Sequence, residues 1–197
     1  MKLLYGSMLM NTIGIEVRKM DDLMLDLETL GTSPDTVVVQ IGACYFSNKT
    51  GKIGKKFKVN VDIDSCLREG FTVEGNAIKW WLTEQAKNAT FFNDTTNVRA
   101  AIYDFIEFSW KAERVWSHAT FDFVIMMNYI NRLGCTPGFG YKSARDIRTL
   151  LDLSHSKIKY SEDNTPRAGE HDALEDCIYQ VGYCVKALNK LSGENRI

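Results

Sequence analysis

Apolar and polar residues alternate with a period of two from Leu23 to Glu28. They alternate again from Ile53 to Val61, where Ile53, Phe57, Val59 and Val61 share one parity. Such alternation predicts half-buried strands. Between them, Thr36–Phe46 (TVVVQIGACYF) is a run of β-branched and aromatic residues, and Asn48-Lys49-Thr50-Gly51 supplies a turn. The three segments together predict an antiparallel meander. The period then becomes helical. Thr72–Gln85 spaces Ile78, Trp81 and Leu82 as one face, and Thr95–Trp110 does the same with Val98, Ile102, Phe105 and Ile106, with Thr95 and Thr96 as candidate caps. Arg114–Ser117 predicts a short strand, and Phe121–Leu133 a helix closed by Gly134. Ser143–Leu153 mixes a short strand with a helical turn, and Ser154–Gly169 is a polar loop. Asp172–Leu191 is an amphipathic helix with apolar residues at 174, 177, 178, 181, 185 and 188. The order β-β-β-α-α-β-α-β-α predicts an α/β domain, a mixed sheet flanked by helices.

Length and composition narrow the class. A chain of 197 residues with 45% hydrophobic and 25% charged residues fits one globular domain. A net charge of −1 argues against tight, sequence-independent coating of long duplexes; a nucleic-acid partner would need a local basic patch or cations. The five cysteines are odd in number and form no Cys-x-x-Cys pair, which fits reduced thiols in a cytoplasmic protein. No apolar run is long enough to span a membrane, and Leu3–Met10 lacks a signal-peptide cleavage pattern. The first predicted strand begins near Leu23. Residues 1–19 therefore read as an N-terminal extension of unassigned role, 20–191 as the domain and 192–197 as a tail, with Met20 an alternative start.

The candidate chemistry is acidic. Asp26 and Glu28, two apart on a strand, point to the same face. Two such charges repel unless a proton or a cation separates them, and oxygen ligands on a rigid element suit Mg²⁺ or Mn²⁺. Asp122 follows a strand at the start of a helix, a position that faces the binding crevice in α/β folds. Asp176 lies beside Leu174 and Cys177 at the buried border of the last helix, where a carboxylate needs a partner. Taken alone, each has an ordinary explanation: a D-x-E pair is usually solvated, and His171 could cap a helix. The four tryptophans are expected in the core, with one of Trp80 and Trp81 left free. Lys55, Lys56 and Lys58 read as a solvated edge, His118 as a local hydrogen-bonder, His155 as exposed, and Asp172 and Glu175 as charges at a helix N-terminus.

In order, Asp26-x-Glu28, Phe121-Asp122 and His171-x-x-x-x-Asp176 resemble the DEDDh 3′→5′ exonuclease family of the ribonuclease H-like fold, from about Leu23 to Leu191. More narrowly, D-L-E-T-L-G, Ile78-Lys79-Trp80-Trp81-Leu82, Arg145-Asp146-Ile147-Arg148-Thr149 and the H-D-A-L-x-D ending resemble the exonuclease VIII-like exonucleases of phages and prophages. The resemblance implies a five-stranded mixed sheet and a metal-dependent exonuclease. Asp26, Glu28, Asp122 and Asp176 would hold two Mg²⁺ or Mn²⁺ ions, His171 would be the general base, and nucleoside 5′-monophosphates the product. The implied partners are single-stranded DNA or RNA 3′ ends, with DNA slightly ahead, and the implied alternatives are an exoribonuclease or oligonucleotide phosphodiesterase. Thr29 and Leu30 would contact the terminal nucleotide, Leu30 by wedging against a base. Trp80 or Trp81 would offer a stacking face, and Arg148, with Arg145 and Arg167, could meet phosphates. Asp146 would support the sheet end or stand behind the metal ligands, with the structural role favoured. Some relatives pair as homodimers, and the sequence leaves that open. Departures exist: His118 and Phe123 stand where relatives carry asparagine, and Glu170 where some carry arginine. A catalytically silent nucleic-acid-binding protein is the rival of another class. All five acid and imidazole positions are filled, which counts against it.

Overall fold

In a computed structural model the described residues are 20–83, 92–154 and 171–193. Three strands come first, β1 (Asp22–Thr29), β2 (Val38–Phe46) and β3 (Ile53–Asn60), then helices α1 (Ile63–Arg68), α2 (Gly75–Thr83) and α3 (Val98–Ser109). There follow β4 (Arg114–Ser117), α4 (Asp122–Arg132), β5 (Ala144–Asp146), α5 (Ile147–Leu153) and α6 (Ala173–Leu191). The sheet order is β3-β2-β1-β4-β5. The first three strands pair antiparallel, as the meander predicted, while β1–β4 and β4–β5 are parallel. The mixed five-stranded sheet with flanking helices is the expected architecture.

Position in the sheet explains the strand compositions. The central β1 is covered on both faces. Leu23, Leu25 and Leu27 join the core formed with Ile102, Phe105, Ile125 and Tyr129, whereas Met24 joins a second core with Phe46, Trp116, Ile147 and Val181. Edge strand β3 carries the lysines, which keep an open edge soluble. One acid of β1 is neutralised in place: Asp22, 3% exposed, accepts from Arg114 Nε at 2.6 Å and from Trp116 Nε1 at 2.7 Å. All five cysteines are free, and burial pushes Cys44 and Cys184 up to about 12, so these thiols are unreactive near neutral pH.

Several expectations shift. α1 was not predicted; its six residues are too few to show a helical period. It is fixed instead by Asp62, whose carboxylate accepts from Ser65 N at 2.7 Å. α3 is capped by Asn97 rather than Thr95 or Thr96, because Thr96 is drawn into backbone bonds with Asn60 and Asp62. α2 begins at Gly75 and leaves Leu82 71% exposed, so Leu82 is not part of its buried face. Trp110 is 56% exposed and is not a core residue. Lys58 is not merely solvated: its ammonium pairs with Asp172. The polar loop after Ser154, with His155, Arg167 and Glu170, and the segments 1–19 and 194–197 lie outside the described residues. Among the described residues no helix is long and apolar enough to cross a membrane.

Candidate active site

Asp26 and Glu28 point from β1 toward α6, on the side of Met24, and are only 9% and 8% exposed. Asp122 opens α4, where β4 has just ended. Its Oδ1 accepts from Leu27 N at 3.2 Å and its Oδ2 from His118 N at 3.0 Å, so the helix start is pinned to the strand carrying the first two acids. Asp176 arrives on the first turns of α6, with its Oδ2 accepting from His171 N at 3.2 Å.

The docking of α6 is set by β2. A Cβ on Gly42 would lie 2.2 Å from the Ala173 carbonyl carbon, so only glycine admits the helix this close. Gln40 Oε1 accepts from Ala173 N at 2.7 Å, and Asp172 caps the helix through Leu174 N and Glu175 N. Gln180, further along α6, donates to Asp26 Oδ1 at 2.6 Å, while its own Oε1 has no hydrogen-bond partner.

Asp26, Glu28, Asp122, Asp176, His118 and His171 thus line one cavity of about 220 Å³. Ligand-capable atoms of Asp26, His118 and Asp122 lie within 4.8 Å of one another, as do those of Glu28, His171 and Asp176. Burial, then the charges of Asp122, Glu28 and Asp176, hold the Asp26 carboxyl well above the usual range against the Gln180 hydrogen bond. Glu28 is raised likewise by burial and by Asp176, Asp122 and Asp172. Burial pushes Asp122 up to about 7 despite the N–H groups of His118 and Leu27 and the nearby Arg148. Acids so placed take up either protons or cations. The oxygen donors of the four acids, the crowding of charge and the unmet Gln180 acceptor fit divalent ions.

The other predicted residues fall out unevenly. His171 adopts φ +62°, a strained backbone for a non-glycine residue that turns the chain sharply into α6. Its ring stands edge-on to Trp80, centroids 4.9 Å apart. Trp80 is 39% exposed beside the cavity, whereas Trp81 is buried and donates Nε1 to Thr29 O at 2.9 Å. Trp81 therefore holds the end of β1 rather than presenting a stacking face. Thr29 lies at the strand end and donates its hydroxyl to Gly31 O. Leu30 is 3% exposed within the core, so the base-wedging position implied for it is not presented. Arg148 donates to Thr120 Oγ1 at 3.4 Å and bears electrostatically on Asp122 and His118, which places it at the cavity's edge. Asp146 has the structural role expected of it: it caps α5 through Thr149 N and accepts from Ala119 N at 2.9 Å, steadying the turn before Asp122. Phe123 is buried against Phe139, so that departure is absorbed by packing. Gln40, Gly42, Gln180, Tyr179 and Tyr183 were missed. Tyr179, Gln180 and Tyr183 had a signal, since they lie three, four and seven residues after Asp176 and so on the same helix face.

The family model described as the Rv2179c-like 3′-5′ exoribonuclease domain matches residues 21–188. No curated protein matches the chain. Among solved structures, exonuclease X in complex with 5′ overhanging duplex DNA superposes with a TM-score of 0.51 at 18% identity, covering 87% of this chain and 93% of that one. The zinc-bound Escherichia coli ExoI–ssDNA complex superposes with a TM-score of 0.59 at 13% identity, covering 87% of this chain but 41% of that one. E. coli exonuclease I with a 5cy-dA13 oligonucleotide gives 0.58 at 15%, covering 86% and 40%. At these identities the likeness is one of fold. The family match spans most of the chain and includes every acid of the cavity, and with it the chain belongs to the Rv2179c-like 3′-5′ exoribonuclease domain family, a 3′→5′ exonuclease of the DEDDh type and hence a phosphodiester hydrolase.

Proposed function

We propose that this cavity removes nucleotides one at a time from single-stranded 3′ ends, releasing nucleoside 5′-monophosphates. The observation that carries the reading is the convergence of Asp26, Glu28, Asp122 and Asp176 with His171 on one small cavity, from strands and helices up to 150 residues apart in sequence. Divalent cations, Mg²⁺ or Mn²⁺ as a pair, held by those four acids would offset charge on the attacking and leaving oxygens of an in-line displacement.

The chain's own residues do the rest. His171 takes the proton of the attacking water as the general base. Water oxygen bonds to phosphorus as the bond to the 3′-oxygen breaks, so the phosphate leaves on the 5′ side of the released nucleotide. Trp80 offers its exposed ring to the terminal base, a contact that tolerates any sequence. Thr29, held by Trp81, lines the approach, and Arg148, whose charge bears on Asp122, brings positive charge to the phosphate. The protein supplies position and field, with no covalent intermediate.

RNA is the substrate favoured by the family's description as an exoribonuclease. DNA is the second reading, favoured by the DNA complexes of exonucleases X and I and by the resemblance to exonuclease VIII-like enzymes, which rests on sequence motifs alone. The activity is assigned to residues 20–191. The test is turnover of 5′-labelled single-stranded RNA and DNA by the full chain, with Mg²⁺, with Mn²⁺ and with EDTA. Metal-dependent release of 5′-monophosphates in a descending ladder supports the reading. A ladder on DNA alone reverses the order of substrates, and no metal-dependent release on either sinks it.

A further inference from the structure

The reaction just described leaves one imidazole of the cavity without a part. His118 stands at the turn between β4 and α4, beside Asp26 and Asp122, with its side chain 23% exposed. We infer that His118 is a metal ligand, so that one cation position consists of two carboxylates and an imidazole nitrogen and favours Mn²⁺ over Mg²⁺. The inference rests on the metal-dependent reading above and names which ion one half of that site selects.

Three observations lead there. The first is distance. His118 Nδ1 lies 3.9 Å from Asp122 Oδ2, beyond hydrogen-bond range. Two ligands each roughly 2.1 Å from a shared ion stand about 3–4.2 Å apart, which brackets that separation. With Asp26 the three ligand-capable atoms close within 4.8 Å.

The second is how firmly the residue is held. The His118 amide donates to Asp122 Oδ2, and its carbonyl accepts from Phe121 N at 2.7 Å and Asp122 N at 3.1 Å. The next residue, Ala119, is tied to Asp146, itself fixed as the cap of α5. The backbone of His118 is therefore locked to the same carboxylate its ring approaches.

The third is chemistry. Mg²⁺ demands near-ideal octahedral oxygen coordination and releases water reluctantly, whereas imidazole suits first-row transition ions, and Mn²⁺, which shares the oxygen preference of Mg²⁺, is the one of the two that belongs to that row. The Glu28, His171 and Asp176 group differs because the ring of His171 stands edge-on to Trp80 and Trp81, and that group is more open to solvent. That arrangement suits a base meeting water, while the Asp26, His118 and Asp122 group suits an ion held in place.

The test reads metal binding rather than turnover. Mn²⁺ is titrated into the metal-free full chain, and ¹⁴N coupling to bound Mn²⁺ is measured by electron spin-echo modulation in wild type, His171→Ala, His118→Asn and His118→Gln. Calorimetry gives Mn²⁺ and Mg²⁺ dissociation constants for each. Nitrogen coupling should persist in His171→Ala and vanish in both His118 variants. Those variants should bind Mn²⁺ about tenfold more weakly, with Mg²⁺ changed less than about twofold. Coupling that survives in either folded His118 variant, or that is lost with His171 instead, overturns the inference and leaves the exonuclease reading intact. Absence of any divalent-ion binding in wild type overturns both.

Discussion

Asp26 sets the tone of the site because nothing about it is comfortable without a cation. It is buried, raised by its own desolvation and by three neighbouring acids, and held by Gln180. Asp26→Asn should reduce turnover by at least about 1,000-fold. The variant should also be as stable as wild type or more so in EDTA, because it removes a charge the metal-free fold must bury. An active Asp26→Asn enzyme, or one that melts well below wild type, would contradict this account. The two adjacent tryptophans separate by the same reasoning from burial. Trp81→Ala empties a core position and strands the Thr29 carbonyl, so it should cost about 3–5 kcal/mol of stability, read by chemical denaturation. Trp80→Ala should leave the melting temperature nearly unchanged and raise KM several-fold, with stacking worth about 1–3 kcal/mol. If the two variants exchanged phenotypes, the assignment of inner and outer ring would be wrong.

Elements matter here chiefly through one junction, the seat of α6 on β2. β1 presents Asp26 and Glu28 whatever α6 does, but Asp176, Gln180 and His171 reach them only because Gly42 lets the helix touch the strand. Gln40 and the Lys58–Asp172 pair fasten the same end. Gly42→Ala puts a methyl group against backbone atoms that cannot rotate away. It should destabilise the fold by about 1–3 kcal/mol and, by shifting α6 on the order of an ångström, cut kcat by about 100-fold. Thermal denaturation and steady-state kinetics on the same sample check both numbers; loss of stability with kcat intact would mean that α6 finds its place by other contacts. Such a role was invisible beforehand, since Gly42 sits within a β-branched run that reads only as strand.

Across the molecule the crowded acids couple stability to pH. Asp26, Glu28 and Asp122 all titrate above their ordinary values in the folded chain, Asp122 at about 7. The native state therefore binds protons more tightly than the unfolded one. Their stabilising contribution is complete below pH about 4 and is lost as pH rises through each group's raised value, about 7 for Asp122. In EDTA the melting temperature should fall by roughly 5–10 °C between pH 5 and pH 8 from this source. Saturating Mn²⁺ should abolish the fall, since the cation replaces the protons. Differential scanning calorimetry at matched ionic strength measures both slopes, and a metal-free protein that gains stability over that range would refute the charge arrangement described here.

Strand alternation, the long amphipathic α6 and the order of acids along the chain were legible directly, because each reports a local period or spacing that a single element must satisfy to bury one face. They were enough to anticipate a mixed sheet flanked by helices and to bring forward Asp26, Glu28, Asp122 and Asp176, while the five-strand count and the role of His171 came from the family resemblance; all five residues line one cavity. Packing alone fixed the rest. It buried Trp81 and Leu30 and left Trp80 at the cavity, gave Asp146 and Asn97 their capping roles, and set Gln180 against Asp26 and His118 beside Asp122. Those outcomes depend on groups that meet across as many as 154 residues of chain. No local spacing encodes which of two neighbouring side chains a distant helix will cover.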